Sequence, residues 1–172
     1  MKKQLHLVAV LFTFLFATST AQAQSPFIET ALDNNVNGPR DVFCDDLDQD
    51  GDVDILAAVK LENKVVVWQN DGLGSFTKVV IDNAATGVEL VITADLNGDT
   101  EQDIIAALST GDAILWYRAD GAGNYSRDTV ALNVDNPSAL NAADFDGDGD
   151  VDIIGGSYND DEFLLWVNDG FG

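Results

Sequence analysis

Histidine is all but absent: the single one, His6, lies in the apolar stretch at the N-terminus. Without an imidazole in the remainder, no Ser–His–Asp or Cys–His nucleophilic set can be assembled, and zinc has no cluster of its usual ligands. Cysteine is as scarce. Cys44 stands alone, so no disulfide forms within the chain, although a secreted setting would permit one. Basic residues number eight against 30 acidic ones, which makes nucleic acid and anionic membrane surfaces poor partners. Long apolar runs are missing too. The longest, Leu5 to Phe16, falls short of the roughly 20 residues a spanning helix needs. No glycine-rich phosphate loop leads into a helical pattern.

The N-terminus reads as a targeting segment. Lys2 and Lys3 give a positive start, the apolar stretch follows, and Ala21-Gln22-Ala23 is a small-residue cleavage site. Residues 1–23 are therefore expected to be a secretory signal peptide cut after Ala23, with a membrane anchor as the alternative that the short apolar run disfavours. The expected location is secreted, either extracellular or at the cell surface. Cutting there removes two of the eight basic residues and no acidic one, leaving a formal charge of −24.

What the chain does have is a repeat of 49 residues. Acidic loops run Asp46–Asp54, Asp95–Asp103 and Asp144–Asp152, each beginning 49 positions after the one before. Self-similarity at a fixed period of this length means a repeat architecture. The loops hold 14 of the 30 acidic residues, at alternating positions that a merely solvated face would not need. In loop one, Asp46, Asp48, Asp50 and Asp54 offer side-chain oxygens at positions one, three, five and nine, and Asp52 at position seven adds its carbonyl. Loop three is equivalent, with Asp144, Asp146, Asp148, Asp152 and, at position seven, Asp150. Loop two has Asp95, Asn97, Asp99 and Asp103, with Glu101 at position seven.

Six to eight oxygens are what Ca2+ takes, and carboxylates converging without a cation would repel each other. All of these residues are candidate calcium ligands. Glycine at position six, Gly51 and Gly149, permits the sharp turn. Loop two has Thr100 there, which is β-branched and resists positive φ, and it carries one charge fewer, so it is expected to bind most weakly. Position twelve is Ala57, Ala106 or Gly155 rather than the bidentate Glu of an EF-hand. Magnesium prefers near-octahedral sites that retain water. The ion is expected to hold structure rather than act in chemistry; Asp148→Ala should weaken binding and stability, and Glu89→Ala should do little.

Around the loops the repeat reads as strands. Aligned units are 27–75, 76–124 and 125–172, each opening on an aromatic residue. The first segment is Phe27–Leu32, Phe76–Ile81 or Tyr125–Leu132. The second, before the loop, is Asp41–Cys44, Leu90–Thr93 or Ala139–Ala142. Cys44 aligns with Thr93 and Ala142 and is expected to be a small buried strand residue, with a reactive thiol as the alternative. Apolar runs follow each loop, then Val65–Trp68, Ile114–Tyr117 or Phe163–Trp166. Each unit closes on Asp71-Gly72, Asp120-Gly121 or Asp169-Gly170, a strong hairpin signal beside β-branched and aromatic residues. Four short strands per unit, none long enough for a helix, give an all-β fold of four-stranded antiparallel blades, a β-propeller with about three blades present. Trp68, Tyr117 and Trp166 share one column, expected to pack between blades, with stacking on sugars as the alternative.

The pattern Asp-x-Asp-x-Asp-Gly-x-x-Asp, then Ile-Leu-x-Ala, then Val-x-Val-Trp-x-Asn-Asp-Gly-x-Gly-x-Phe resembles the FG-GAP/VCBS repeat, which builds the β-propellers of integrin α subunits and many secreted bacterial proteins. The resemblance covers 27–172. It implies that the acidic loop lies between the first two strands of a blade and holds calcium. It also implies that the first segment of each unit is the outermost strand of the preceding blade, so that Phe27–Leu32 would close the ring against the last blade. Seven blades are typical of the family and three loops are present, so the third blade is expected to lack its outermost strand, with further blades of the polypeptide beyond residue 172. Closure by other copies, or donation of Phe27–Leu32 to the third blade, are the alternatives. The expected function is a secreted calcium-binding module for adhesion or for recognition of an extracellular protein or glycan, and not an enzyme. The alternative is the non-catalytic part of a secreted carbohydrate-active enzyme. Paired carboxylates can hydrolyse glycosides, but the paired ones here already have a metal role, and Glu89, Glu101 and Glu162 do not recur as a set.

Overall fold

The computed structural model describes residues 27–170; the expected signal peptide, 1–23, lies outside them. The chain divides into two compact units, Met1–Ala31 and Leu32–Gly172. In the first, residues 27–31 form no strand, and Phe27 and Ile28 are exposed. The expected strand over Phe27–Leu32 is therefore corrected. Its residues suit a strand, but a strand exists by pairing its backbone groups, and no sheet among the described residues pairs with this segment.

The second unit is built from antiparallel strands. The first sheet runs β1 (Pro39–Asp45), β2 (Asp54–Val59), β3 (Lys64–Asn70) and β4 (Phe76–Asp82), in that order. The second repeats it with β5 (Val88–Ala94), β6 (Asp103–Leu108), β7 (Ala113–Ala119) and β8 (Tyr125–Leu132). The third has three strands, β9 (Pro137–Ala143), β10 (Asp152–Ser157) and β11 (Glu162–Trp166). Each acidic loop joins the first two strands of its sheet. The aromatic-led segment of each later unit, β4 or β8, is the outer strand of the preceding sheet, as expected. The third sheet has no fourth strand among the described residues.

Period-two alternation decides what each sheet buries. Leu56, Ala58, Val65 and Val67 point one way and meet Ile104, Ala106, Leu108, Leu115 and Tyr117 of the second sheet. The opposite face of the second sheet, with Ile105, Ala107 and Ile114, meets Ile153, Leu164 and Trp166 of the third. Being covered on both faces explains why β2 and β6 read as unbroken apolar runs. Each fully buried Leu, Ile or Val in these layers stabilises by about 1.5–3 kcal/mol. Tyr117 and Trp166 lie between sheets, as their column predicts, whereas Trp68 of the same column is corrected: it clusters with Ala57, Val59 and Val66 of its own sheet, and with Val36.

The inner strands β1, β5 and β9 lie side by side. The Val91 N–H donates to Asp41 Oδ2 at 3.0 Å, and the Thr93 hydroxyl donates to Asp45. Three radial sheets with adjacent inner edges make an open, β-propeller-like arrangement. Cys44 departs from expectation: it is exposed, because alternation along β1 turns Phe43, not Cys44, towards the packed layer.

Candidate functional site

The loops are organised from their ninth residue. Asp54, Asp103 and Asp152 begin β2, β6 and β10, and all are fully buried. Each carboxylate accepts two backbone N–H groups. For Asp54 these come from Leu47 at 3.0 Å and Asn70 at 2.8 Å; for Asp103, from Leu96 at 3.2 Å and Ala119 at 2.8 Å; for Asp152, from Phe145 at 2.9 Å and Asn168 at 2.8 Å. The ninth Asp thus pins the second loop residue to the end of the third strand.

The first Asp gathers the loop's own turn. Asp46 accepts the Gly51 N–H, and Asp95 accepts those of Gly98, Asp99 and Thr100. Asp144 accepts those of Gly147 and Gly149. This wrapping requires left-handed backbone at positions four and six: φ is +58° and +95° at Gln49 and Gly51, +73° and +76° at Gly98 and Thr100, and +84° and +104° at Gly147 and Gly149. Thr100 takes the conformation its β-branch resists, since the turn is fixed by its neighbours.

Three carboxylates of loop one, Asp46, Asp48 and Asp50, bring oxygens within 4.8 Å of one another, as do Asp144, Asp146 and Asp152 of loop three. Asp54 is turned to its two backbone donors, while Asp148 accepts the Asp150 N–H at 3.0 Å. Among the described residues loop two makes no such group of three: Asn97 donates instead to Asp99 Oδ2 at 2.8 Å. Position seven lies apart. The carboxyls of Asp52, Glu101 and Asp150 stand over Gly72, Gly121 and Gly170 of the hairpin turns, where a Cβ would fall 2.1, 3.0 and 2.4 Å from an oxygen. Those glycines are needed for space as well as for the turn, and the constant 20-residue spacing between acid and glycine is the sequence signal of it.

The charge state fits a cation. Asp46 Oδ1 is buried with no hydrogen-bond partner, a costly state for a carboxylate oxygen. Desolvation and the charges of Asp54, Asp50 and Asp46 push the Asp48 carboxyl above its ordinary value. The Asp148 N–H pulls Asp146 down, yet desolvation and the charges of Asp148 and Asp152 leave it raised. Desolvation raises Asp103 against its N–H donors, whereas the Asn168 and Phe145 N–H groups lower Asp152. Oxygen-only donors with one orphaned and several disfavoured anions suit a hard divalent ion.

Asn70 and Asn168 were not singled out by sequence reading. Asn168 bonds Val151 O at 3.1 Å and reaches Leu96 O of the second sheet's loop at 2.7 Å. Glu89 has partners that the sequence does not reveal. It binds Arg40, bonds Lys60 at 2.5 Å and accepts from Ser109 at 3.3 Å, so the expectation that Glu89→Ala does little is corrected: the side chain ties β1 to β5.

The sequence profile of the FG-GAP-like repeat matches residues 46–106 and again 95–155. The chain belongs to the FG-GAP-like repeat family. Each match runs from the first Asp of one acidic loop through the next loop into the strand beyond it, so the family pattern contains the loop–strand pairing described above. No curated protein matches this FG-GAP-like chain. Among solved structures it is similar to a lectin of Agrocybe aegerita described as specifically recognising non-reducing terminal N-acetylglucosamine. The identity is 24%, the TM-score 0.55, and the match covers 75% of this chain. The chain spans 35% of the lectin's length.

Proposed function

We propose that this FG-GAP-like chain is a secreted, non-catalytic recognition module for glycans or glycosylated proteins, with calcium as a structural ion in its acidic loops. The observation that carries recognition is the likeness in fold to a lectin. The scarcity of catalytic residue types supports the non-enzymatic reading, and the N-terminal segment supports secretion. Asp46, Asp48 and Asp50 in loop one, and Asp144, Asp146 and Asp152 in loop three, would hold the ion. A bound ion supplies neutralising charge where the chain has crowded its carboxylates. The residues themselves do the rest: the ninth Asp fixes the loop to the sheet, the first Asp closes the turn, and the position-seven acids brace the hairpins. A rigid set of loops results, as a recognition surface requires.

Two measurements test this. Native mass spectrometry of the secreted chain, stripped of metal and then given calcium, should show uptake that Asp46→Ala and Asp144→Ala each reduce by one ion. A folded chain that takes up none would overturn the calcium assignment. A glycan array probed with the calcium-loaded protein should give selective hits; a blank array would remove the glycan reading and leave proteins as the ligand class.

A further inference from the structure

Loop two differs from its neighbours at one position that ordinary chemistry can change. Position three is aspartate in loops one and three, Asp48 and Asp146, but Asn97 in loop two, and the residue after it is Gly98. Asparagine before glycine is open to attack by the following backbone nitrogen on its own side-chain amide, because glycine puts no side chain in the way. The loop places a partner on each reacting group. The Gly98 N–H, on the nucleophile, donates to Asp95 Oδ1 at 2.8 Å. The Asn97 amide oxygen, where negative charge gathers during attack, accepts the Asp99 N–H at 3.1 Å. Gly98 and Asp99 are exposed and Asn97 is half-buried, so water reaches the dipeptide.

We infer that Asn97 is a self-modification site, losing its side-chain amide as ammonia and becoming an acid. Gly98 N attacks Asn97 Cγ. As that bond forms, the proton of the nitrogen passes to Asp95, and the Asp99 N–H stabilises the oxyanion as a fixed donor does in an enzyme. The Cγ–Nδ2 bond then breaks, and ammonia leaves with the proton that Asp95 took. The ring that remains, a succinimide, is opened by water. Opening at Cγ gives aspartate, and opening at the backbone carbonyl gives isoaspartate; nothing is oxidised or reduced on either path. Aspartate at position 97 makes the loop read Asp-x-Asp-Gly-Asp, as loop three does from Asp144 to Asp148. There Gly147 has the same left-handed backbone, φ +84° against +73° at Gly98. The side-chain amide that now donates to Asp99 at 2.8 Å is replaced by an acceptor, so loop two gains the third carboxylate it lacks. The covalent step stands without the calcium reading; a gain in metal uptake rests on that reading.

Peptide mass mapping of the full chain, incubated in neutral buffer without metal, tests this. Asn37-Gly38 is the control within the same molecule: there Glu62 accepts the Asn37 N–H at 2.8 Å, and Gly38 O accepts the Lys60 N–H at 2.9 Å. In the folded chain Asn97 should acquire the mass of an amide turned acid about tenfold faster than Asn37, and in urea the two rates should converge. Conversion at Asn97 no faster than at Asn37 in the folded chain overturns the inference. So does a ratio that urea leaves unchanged, which would make the dipeptide alone responsible and not the loop. Asn97→Gln, whose longer side chain disfavours the five-membered ring, should stop conversion there while keeping the fold. By native mass spectrometry, Asn97→Asp should take up one calcium ion more than the parent. Equal, non-zero uptake overturns the added ligand; no uptake by either folded chain overturns the calcium reading alone.

Discussion

Thr100 shows how a residue can be compelled by its surroundings. Its φ of +76° costs a β-branched side chain of order 1–3 kcal/mol, and glycine recovers most of that despite its greater chain entropy. Thr100→Gly should raise the stability of the calcium-free chain by about 1 kcal/mol; a thermal melt that moves down would refute the strain. Charge acts at the same scale. In the folded chain Asp48, Asp103 and Asp146 lie above their ordinary 3.8, so their stabilisation is full below that value and is lost as pH rises through the raised ones. Asp152 lies below 3.8, so its contribution is present above that value and is lost as pH falls through its depressed one. Without calcium, lowering the pH from neutrality through the raised values towards 3.8 should lift the melting temperature, and going on down through the depressed Asp152 value should lower it. A melting temperature that only falls as the pH is lowered from neutrality would mean the loop carboxylates do not strain the fold. The alternating acids of these loops were legible in the sequence. The inward role of Asp54 was not, because its partners are the backbone N–H groups of Leu47 and Asn70, and a backbone donor has no letter of its own.

At the scale of elements, alternation and turn chemistry placed nearly every strand. Phe76 and Tyr125 start outer strands because aromatic and β-branched residues follow them and an Asp-Gly turn precedes them. Phe27 opens a similar aromatic-led run but has no Asp-Gly turn before it, and it starts no strand, since local preference cannot supply a partner edge. Cys44 misled for a related reason: small size at one column position says nothing of which face of β1 is covered. Packing between sheets is equally specific. Gly155 sits where a Cβ would come within 2.9 Å of the Trp166 ring of the same sheet, so glycine there leaves room for the ring to lie over β10 in the layer facing the second sheet. Gly155→Ala should cost about 1–3 kcal/mol by overpacking, read from chemical denaturation, and Gly155→Ala combined with Trp166→Leu should recover part of it. Equal stability of the single variant and the parent would show that the tryptophan moves aside freely.

For the whole molecule, the balance of 30 acidic against eight basic residues would make a bound calcium ion part of folding. Calcium at 100 times its dissociation constant would add about 2.7 kcal/mol per occupied site. With two sites filled, the melting temperature should rise by about 10 °C or more, an increase that chelator should reverse. A chain that melts at the same temperature with and without calcium would separate the loops from stability altogether. The repeat and its period predicted this organisation, but not the links that cross between units. Those links give the middle loop a peculiar standing. Gln49 grips it from one side at Thr100 and Glu101, and Asn168 grips it from the other at Leu96. Loop two, poorest in ligands of its own, is thus ordered by inheritance from both flanks. Its amide protons should exchange at a pace set by the release of those grips, and replacing Gln49 and Asn168 with alanine should speed deuterium uptake across residues 95–103 before either outer loop loosens.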